Sequence, residues 1–292
     1  MRRPLLIIVC AWLVAIAAPR PAAAEIRIDA PASLASAARR LDAIDGTRLR
    51  ADLERANLAL PPSVTVALID NADARAAGTP PWIVGLAFGT DAIVIFPERV
   101  MAYPYDSLES VLRHEVAHLA LSARAGGAPL PRWFHEGVAV SVDAGWDVSS
   151  RLQLLLAMRS DLRVADLDRQ FGSAAPSAID LAYRLSAALI DDVRRRHDPG
   201  VPGTIAGYVA MGRSFDDAFR LATGESADVA AARAWIFYRQ WSNWVAALTS
   251  PSLPWAIVLG LAMVAFVVRV RQRRRQRRQW DDDLDDPQAP PG

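Results

Sequence analysis

Apolar residues recur at helix and strand spacings along most of the chain between residues 33 and 248. In Ser33–Asn57 they follow a helical spacing that Gly46 interrupts, which predicts two helices or one broken helix. Ser63–Ile69 alternates between apolar and polar positions, which predicts a strand. Trp82–Phe88 and Ala92–Phe96 flank a Gly-Thr-Asp turn, and we expect them to pair as a hairpin.

After the hairpin the pattern is helical. A helix is expected from about Asp106, which would form a capping box with Glu109, to the glycine pair at 126–127. Another helix is expected to begin near Pro131 or Arg132 and to run past Val142. Further helices are predicted at Ser149–Leu156, Ile179–Arg196, Ser214–Ala222 and from Ala227 to about Leu248. A helix, then strands, then helices alone predict one α+β domain with a small antiparallel sheet and a mostly helical C-terminal part.

The N-terminal residues carry an export signal. Residues 1–24 have the pattern of a signal peptide, with Arg2 and Arg3, an apolar run at Leu5–Ala18 and three alanines at the expected cleavage site. An uncleaved signal anchor is the alternative. The single cysteine, Cys10, lies within this leader, so the exported protein would have neither disulfides nor thiolate metal ligands.

The C-terminal residues carry a second apolar run, Leu253–Val268, followed by seven arginines. We expect a transmembrane helix at 251–270 and a cytoplasmic tail at 271–292 that is first Arg-rich and then acidic. A buried helix of a soluble domain is the alternative, which the arginines disfavour. Together with the leader, this topology predicts a single-pass protein of a bacterial inner membrane, with the domain at residues 25–250 in the periplasm.

Charge narrows the range of partners. The chain has 33 basic and 32 acidic residues and a formal net charge of +1. All its basic residues are arginines, and residues 25–250 are mildly acidic by themselves. This excludes a uniformly basic binding surface, so we expect no nucleic-acid partner.

The segment His114-Glu115-Val116-Ala117-His118 carries the most specific chemical signal. Residues four apart lie on one face of a helix, so both imidazoles can bind the same zinc ion. Glu115 lies about 100° round the helix from His114, where it can act as the general base on a water molecule. Two solvated histidines on a surface helix are the alternative. A chance match is rare, because the chain has only four histidines.

A catalytic zinc site needs a third protein ligand, and Glu136 is the expected one. It follows His118 after 17 intervening residues, enough for a turn and an antiparallel second helix. The segment from Trp133 to Ala139 matches W-x-x-E-G-x-A. Here the chain resembles the gluzincin metallopeptidases, most closely the peptidase MA-like domain of bacterial exported and membrane proteins.

The resemblance covers about residues 60–240 and extends into Ala182–Ser186 and Phe215–Gly224. It implies a thermolysin-like zincin fold for the domain. It also implies that His114, His118 and Glu136 are the zinc ligands and that Glu115 is the general base.

These features predict a membrane-anchored zinc metallopeptidase that acts on peptide or protein substrates. We expect Tyr183 to stabilise the oxyanion, because it lies in a helix that the resemblance covers. Tyr208 and His197 are other possible donors. The alternative is that Tyr183 is an ordinary tyrosine of the hydrophobic core. One edge of the hairpin is expected to bind the substrate as an added strand. Two other functions stay open: a catalytically inactive scaffold that binds partners at the membrane, and a zinc enzyme for a non-peptide amide.

Overall fold

The computed structural model describes residues 25–100, 105, 107–142, 154, 163–173, 175–236, 263, 265, 266, 268 and 269. In this part of the chain, one sheet contains the strands β1 (Glu25–Asp29), β2 (Ser63–Leu68), β3 (Gly85–Phe88) and β4 (Ala92–Ile95). The helices are α1 (Ala35–Asp42), α2 (Gly46–Arg55), α3 (Ala74–Ala77), α4 (Leu108–Arg124), α5 (Arg132–Val142), α6 (Val164–Phe171), α7 (Pro176–Arg196), α8 (Val201–Ala210), α9 (Phe215–Thr223) and α10 (227–236). Short 3₁₀ turns lie at Ala32–Leu34 and Pro97–Arg99.

The sheet is mixed and has the strand order β1-β2-β4-β3. β1 pairs with β2 and β2 with β4 in parallel, whereas β3 and β4 form the predicted antiparallel hairpin. The expectation of an antiparallel sheet is therefore wrong. Two crossovers explain the difference: α1 and α2 connect the unpredicted β1 to β2, and the segment with α3 and β3 connects β2 to β4. Each of these pairs therefore lies side by side in the same direction.

Helix α4 lies between the sheet and the other helices and holds the His-Glu-Val-Ala-His segment. It packs against β3 and β4 and also against α5, so most of its residues are buried. Ser107 caps the helix by accepting a hydrogen bond from the Ser110 amide, so the cap is not the predicted Asp106, which lies outside the described residues. Gly126 and Gly127 have left-handed φ values of 64° and 75° and end the helix as predicted.

Helices α5 and α7 approach each other closely. A methyl group on Gly137 would lie 2.6 Å from the Ser186 carbonyl oxygen and 2.7 Å from Ile190 Cγ1. The buried rings of Trp133 and Phe134, also on α5, lie with their centres 5.8 and 5.1 Å from that of Phe215. These contacts fix the position of α5, and with it the position of the predicted third ligand.

Most of the predicted helices are confirmed. The broken helix of Ser33–Asn57 is α1 and α2, Ile179–Arg196 lies within α7, and Ser214–Ala222 corresponds to α9. Helices α3, α6 and α8 were not predicted. Apart from residue 154, the predicted helix at Ser149–Leu156 lies outside the described residues.

The predicted transmembrane helix needs correction. Among the residues that the structure describes, no helix is both long enough and apolar enough to cross a membrane. The expected helix at 251–270 is therefore not supported; of its residues, the structure describes 263, 265, 266, 268 and 269, and the others lie outside the described residues. The predicted signal peptide at 1–24 and the tail at 271–292 lie outside the described residues and stay predictions.

Candidate metal centre

Helix α4 places His114 and His118 side by side. Their Nε2 atoms are 3.1 Å apart, and their rings meet edge to face with centroids 4.7 Å apart. His114 is buried, with 1% of its surface exposed, whereas His118 is partly exposed. Two imidazole nitrogens thus point to one place, as the spacing of four residues predicts.

Helix α5 brings Glu136 to the same place. Its Oε2 lies 3.3 Å from His114 Nε2 and 3.5 Å from His118 Nε2. The first turn of α5 is held by Asp168 on α6, which accepts a hydrogen bond of 2.8 Å from the Trp133 amide. The structure therefore brings together the three residues that the sequence predicts as ligands.

The three ligand atoms fit a zinc ion. They form a triangle with sides of 3.1, 3.3 and 3.5 Å. Tetrahedral zinc with ligands at about 2.1 Å separates neighbouring ligand atoms by about 3.4 Å. Two imidazole nitrogens and a carboxylate oxygen are also a ligand set that catalytic zinc takes. Among the described residues, His114, His118 and Glu136 are the group whose ligand atoms converge in this way.

The charges within this group are coupled. Burial favours a higher pKa for Glu136, but hydrogen bonds from His114 and His118 outweigh it and hold the pKa well below the usual range. Burial favours a lower pKa for His118, but the hydrogen bond to Glu136 and its negative charge outweigh it and raise the pKa.

Glu115 lies beside the triangle, with 3% of its surface exposed. A methyl group on Gly85 would come within 2.5 Å of its Oε1, so the backbone of β3 passes directly against the carboxylate. Tyr105 donates its hydroxyl to the same oxygen at 3.5 Å. Burial raises the pKa of Glu115, although the nearby His118 and His114 oppose this effect. A carboxylate with a raised pKa is a stronger proton acceptor than an exposed one.

Arg132 lies at the rim of the group, with 53% of its side chain exposed. Its Nε is 3.5 Å from Oε1 of Glu136, the oxygen that does not face the histidines. Its guanidinium lies 4.9 Å from the centre of the Phe171 ring and donates a hydrogen bond of 3.4 Å to the Phe171 carbonyl. Arg132 is therefore held in place at the edge of the solvent and orients the Glu136 carboxylate.

The structure places Tyr183 next to the centre. Its ring lies 6.4 Å from that of His114 and packs edge to face on Phe171 at 5.1 Å. Burial raises the pKa of Tyr183, and the charge of Glu136 adds to this, so the hydroxyl keeps its proton. Its role as oxyanion donor stays a prediction.

The other two predicted donors occupy different surroundings. Tyr208 lies in α8 next to Gly207, which faces Arg124 at the C-terminal end of α4. His197 is exposed just beyond the end of α7. The structure does not bring either residue to the ligand group.

Sequence reasoning missed Tyr105 and Gly85. Tyr105 precedes α4 in a segment without helical or strand periodicity, so nothing in the pattern marks it. Gly85 had a usable signal, because a glycine within a strand often marks the close approach of another group. Here that group is Glu115.

No family model matches the chain, and no curated protein matches it. The residues and the geometry described above are therefore the basis for a function.

Proposed function

We propose that this chain is a zinc-dependent peptidase with Glu115 as its general base. One observation carries the proposal: His114, His118 and Glu136 converge from two helices, and Glu115 is buried beside them. A pair of surface histidines needs neither a third converging ligand nor a buried carboxylate. The resemblance to the gluzincins supports the same function.

In the proposed reaction, three residues bind the zinc ion and Glu115 transfers the proton. Zinc held by His114, His118 and Glu136 would polarise the carbonyl of the scissile bond and acidify a water molecule. Glu115 takes the proton from the water and returns it to the leaving amine. Its burial favours the first transfer, because a raised pKa makes the carboxylate a stronger proton acceptor than an exposed glutamate.

The edge strand β3 supports a peptide as the substrate. Within the described sheet β3 pairs with β4 alone, so its other edge presents backbone N–H and C=O groups to an added strand. Gly85 of this strand lies against Glu115, so a peptide bound along β3 would pass the general base. Trp82, three residues before the strand, and Phe88, its last residue, have 75% and 50% of their surfaces exposed and offer apolar contacts to substrate side chains.

Cleavage of fluorescein-labelled casein by the zinc-loaded protein tests the proposal. Glu115→Gln should keep the zinc and lower the rate by about 100-fold or more, because it removes the proton acceptor. Glu109→Gln is the matched control, since it makes the same chemical change at an exposed position of the same helix. Equal rates for the wild type and Glu115→Gln would contradict the proposal. A zinc-loaded wild type that cleaves nothing would favour a non-catalytic scaffold.

A further inference from the structure

Tyr105 contacts two consecutive residues of the centre. Its ring meets the His114 ring edge to face, with centroids 5.1 Å apart and an interplanar angle of 80°. Its hydroxyl oxygen lies 3.5 Å from Oε1 of Glu115. An ionised carboxylate is only an acceptor, so the hydroxyl is the donor in this pair. Tyr105 is thus a polar contact of the general base that comes from outside α4.

The same carboxylate oxygen is confined from a second direction. The backbone of β3 at Gly85 leaves no room for a methyl group beside Oε1, Cγ or Cδ of Glu115. A carboxylate confined at one oxygen by a hydroxyl and by a strand has a fixed plane. Its other oxygen, Oε2, then has a defined position for proton transfer.

We propose that Tyr105 is a positioning residue for Glu115: its hydroxyl holds Oε1 so that Oε2 carries the proton in the reaction. This inference rests on the proposed function of Glu115 as the general base. Tyr183 has different neighbours, because it packs on Phe171 and interacts mainly with Glu136 and Arg132. Of the two tyrosines next to His114, Tyr105 therefore interacts with Glu115, and Tyr183 interacts mainly with Glu136.

The variant Tyr105→Phe removes the hydroxyl and keeps the ring against His114. Without its donor the Glu115 carboxylate can rotate, and small displacements of a reacting group have large effects on rate. For an internally quenched peptide chosen as the fastest cleaved by the wild type, kcat should fall by about tenfold to 100-fold. KM should change by less than about twofold and zinc content should not change, because neither depends on the hydroxyl.

Two comparisons separate positioning from a structural effect. Tyr208→Phe is the matched control, because it removes the same hydroxyl far from the centre. Tyr208 lies near Arg124, which is about 15 Å further along α4 than His114. In a Glu115→Gln background, Tyr105→Phe should cause no further loss, since its effect passes through Glu115. An unchanged kcat, an equal further loss in that background, or loss of zinc by Tyr105→Phe would each overturn the inference.

A second measurement does not depend on activity. The chain has five tyrosines, so labelling them with ¹³C at Cζ gives five NMR signals, which Tyr→Phe variants assign. In the zinc-free protein, Glu115→Gln should shift the Tyr105 signal and leave the Tyr208 signal in place. An unmoved Tyr105 signal would overturn the inference. If the wild type cleaves no peptide, the proposed function fails, and this measurement still decides whether Tyr105 and Glu115 interact.

Discussion

Gly85 on the edge strand lies so close to Glu115 that a methyl group at its Cα would reach within 2.5 Å of Oε1 and 2.8 Å of Cγ. The contact joins the strand that would bind a peptide to the residue that would move the proton. Any side chain at position 85 must displace either β3 or the whole side chain of Glu115. The sheet edge and the general base therefore constrain each other.

This contact predicts a strong effect of Gly85→Ala. The kcat/KM for peptide cleavage should fall by about 100-fold while zinc remains bound, because the ligand residues are not touched. Gly46→Ala is the control, since a methyl group there meets nothing within 4 Å. Steady-state kinetics and metal analysis of both variants check the prediction. A fully active Gly85→Ala would show that the contact has no part in the reaction.

The close packing of α5 on α7 predicts an effect of Gly137→Ala on stability. A methyl group there would lie 2.6 Å from the Ser186 carbonyl oxygen, which belongs to the backbone and cannot turn away. The free energy of unfolding in urea should fall by about 1–3 kcal/mol or more. Gly78→Ala, whose nearest neighbour would lie 3.9 Å away, should have a small effect. Equal stabilities of the two variants would contradict the packing described for α5.

The contact of Arg132 with Glu136 predicts an effect on metal affinity. Residues that orient a metal ligand typically contribute 10-fold to 100-fold in affinity. Because Arg132 is half exposed, we expect Arg132→Gln to weaken zinc binding by about tenfold, at the lower end of that range. Arg169→Gln is the control, since Arg169 pairs with Asp166. Competition with a chromophoric chelator measures both affinities, and equal values would exclude the role given to Arg132.

The pKa of His118 predicts how zinc affinity depends on pH. Burial alone would lower this pKa, but the hydrogen bond to Glu136 and its charge raise it, so the metal-free protein keeps a proton on His118 up to a higher pH than usual. Zinc must displace that proton. The affinity should therefore be greatest above the pKa and fall by about tenfold per pH unit below it. Calorimetric titrations between about pH 6 and pH 8 should show proton release, and an affinity independent of pH would contradict the coupling.

The convergence of His114, His118 and Glu136 could be predicted because the signals for it are local. The spacing of four residues sets His114 and His118 on one helix face, and the 17 residues before Glu136 allow a second helix to return. Both helices exist, and the three ligand atoms converge. Helix periodicity thus placed the two histidines on one face, and the W-x-x-E-G-x-A segment of the resemblance indicated Glu136 as the third residue.

Other features depend on tertiary contacts that a local pattern does not contain. Helix α8 includes Gly203 and Gly207, which argue against a helix by propensity, whereas Pro202 lies in its first turn, where proline is tolerated. It forms because these positions allow close packing: a methyl group on Gly203 would lie 2.1 Å from the Asn57 carbonyl oxygen.

The mixed sheet and the position of Tyr105 were not predicted because they also depend on contacts between segments far apart in the sequence. β1 is a five-residue strand whose partner, β2, lies beyond two helices. Tyr105 contacts Glu115 from outside α4, in a segment whose sequence shows no periodicity.

Removal and return of the metal tests the central claim most directly. The wild-type protein is stripped with a chelator, and cleavage of fluorescein-labelled casein is followed while zinc is added back. We predict that cleavage stops without metal and returns in proportion to zinc, reaching its maximum at one ion per chain. His118→Ala should bind no stoichiometric zinc and stay inactive, whereas His197→Ala, at an exposed position outside the ligand group, should behave as the wild type. Cleavage that survives removal of the metal, or that His118→Ala retains in full, would contradict the assignment of this chain as a zinc peptidase.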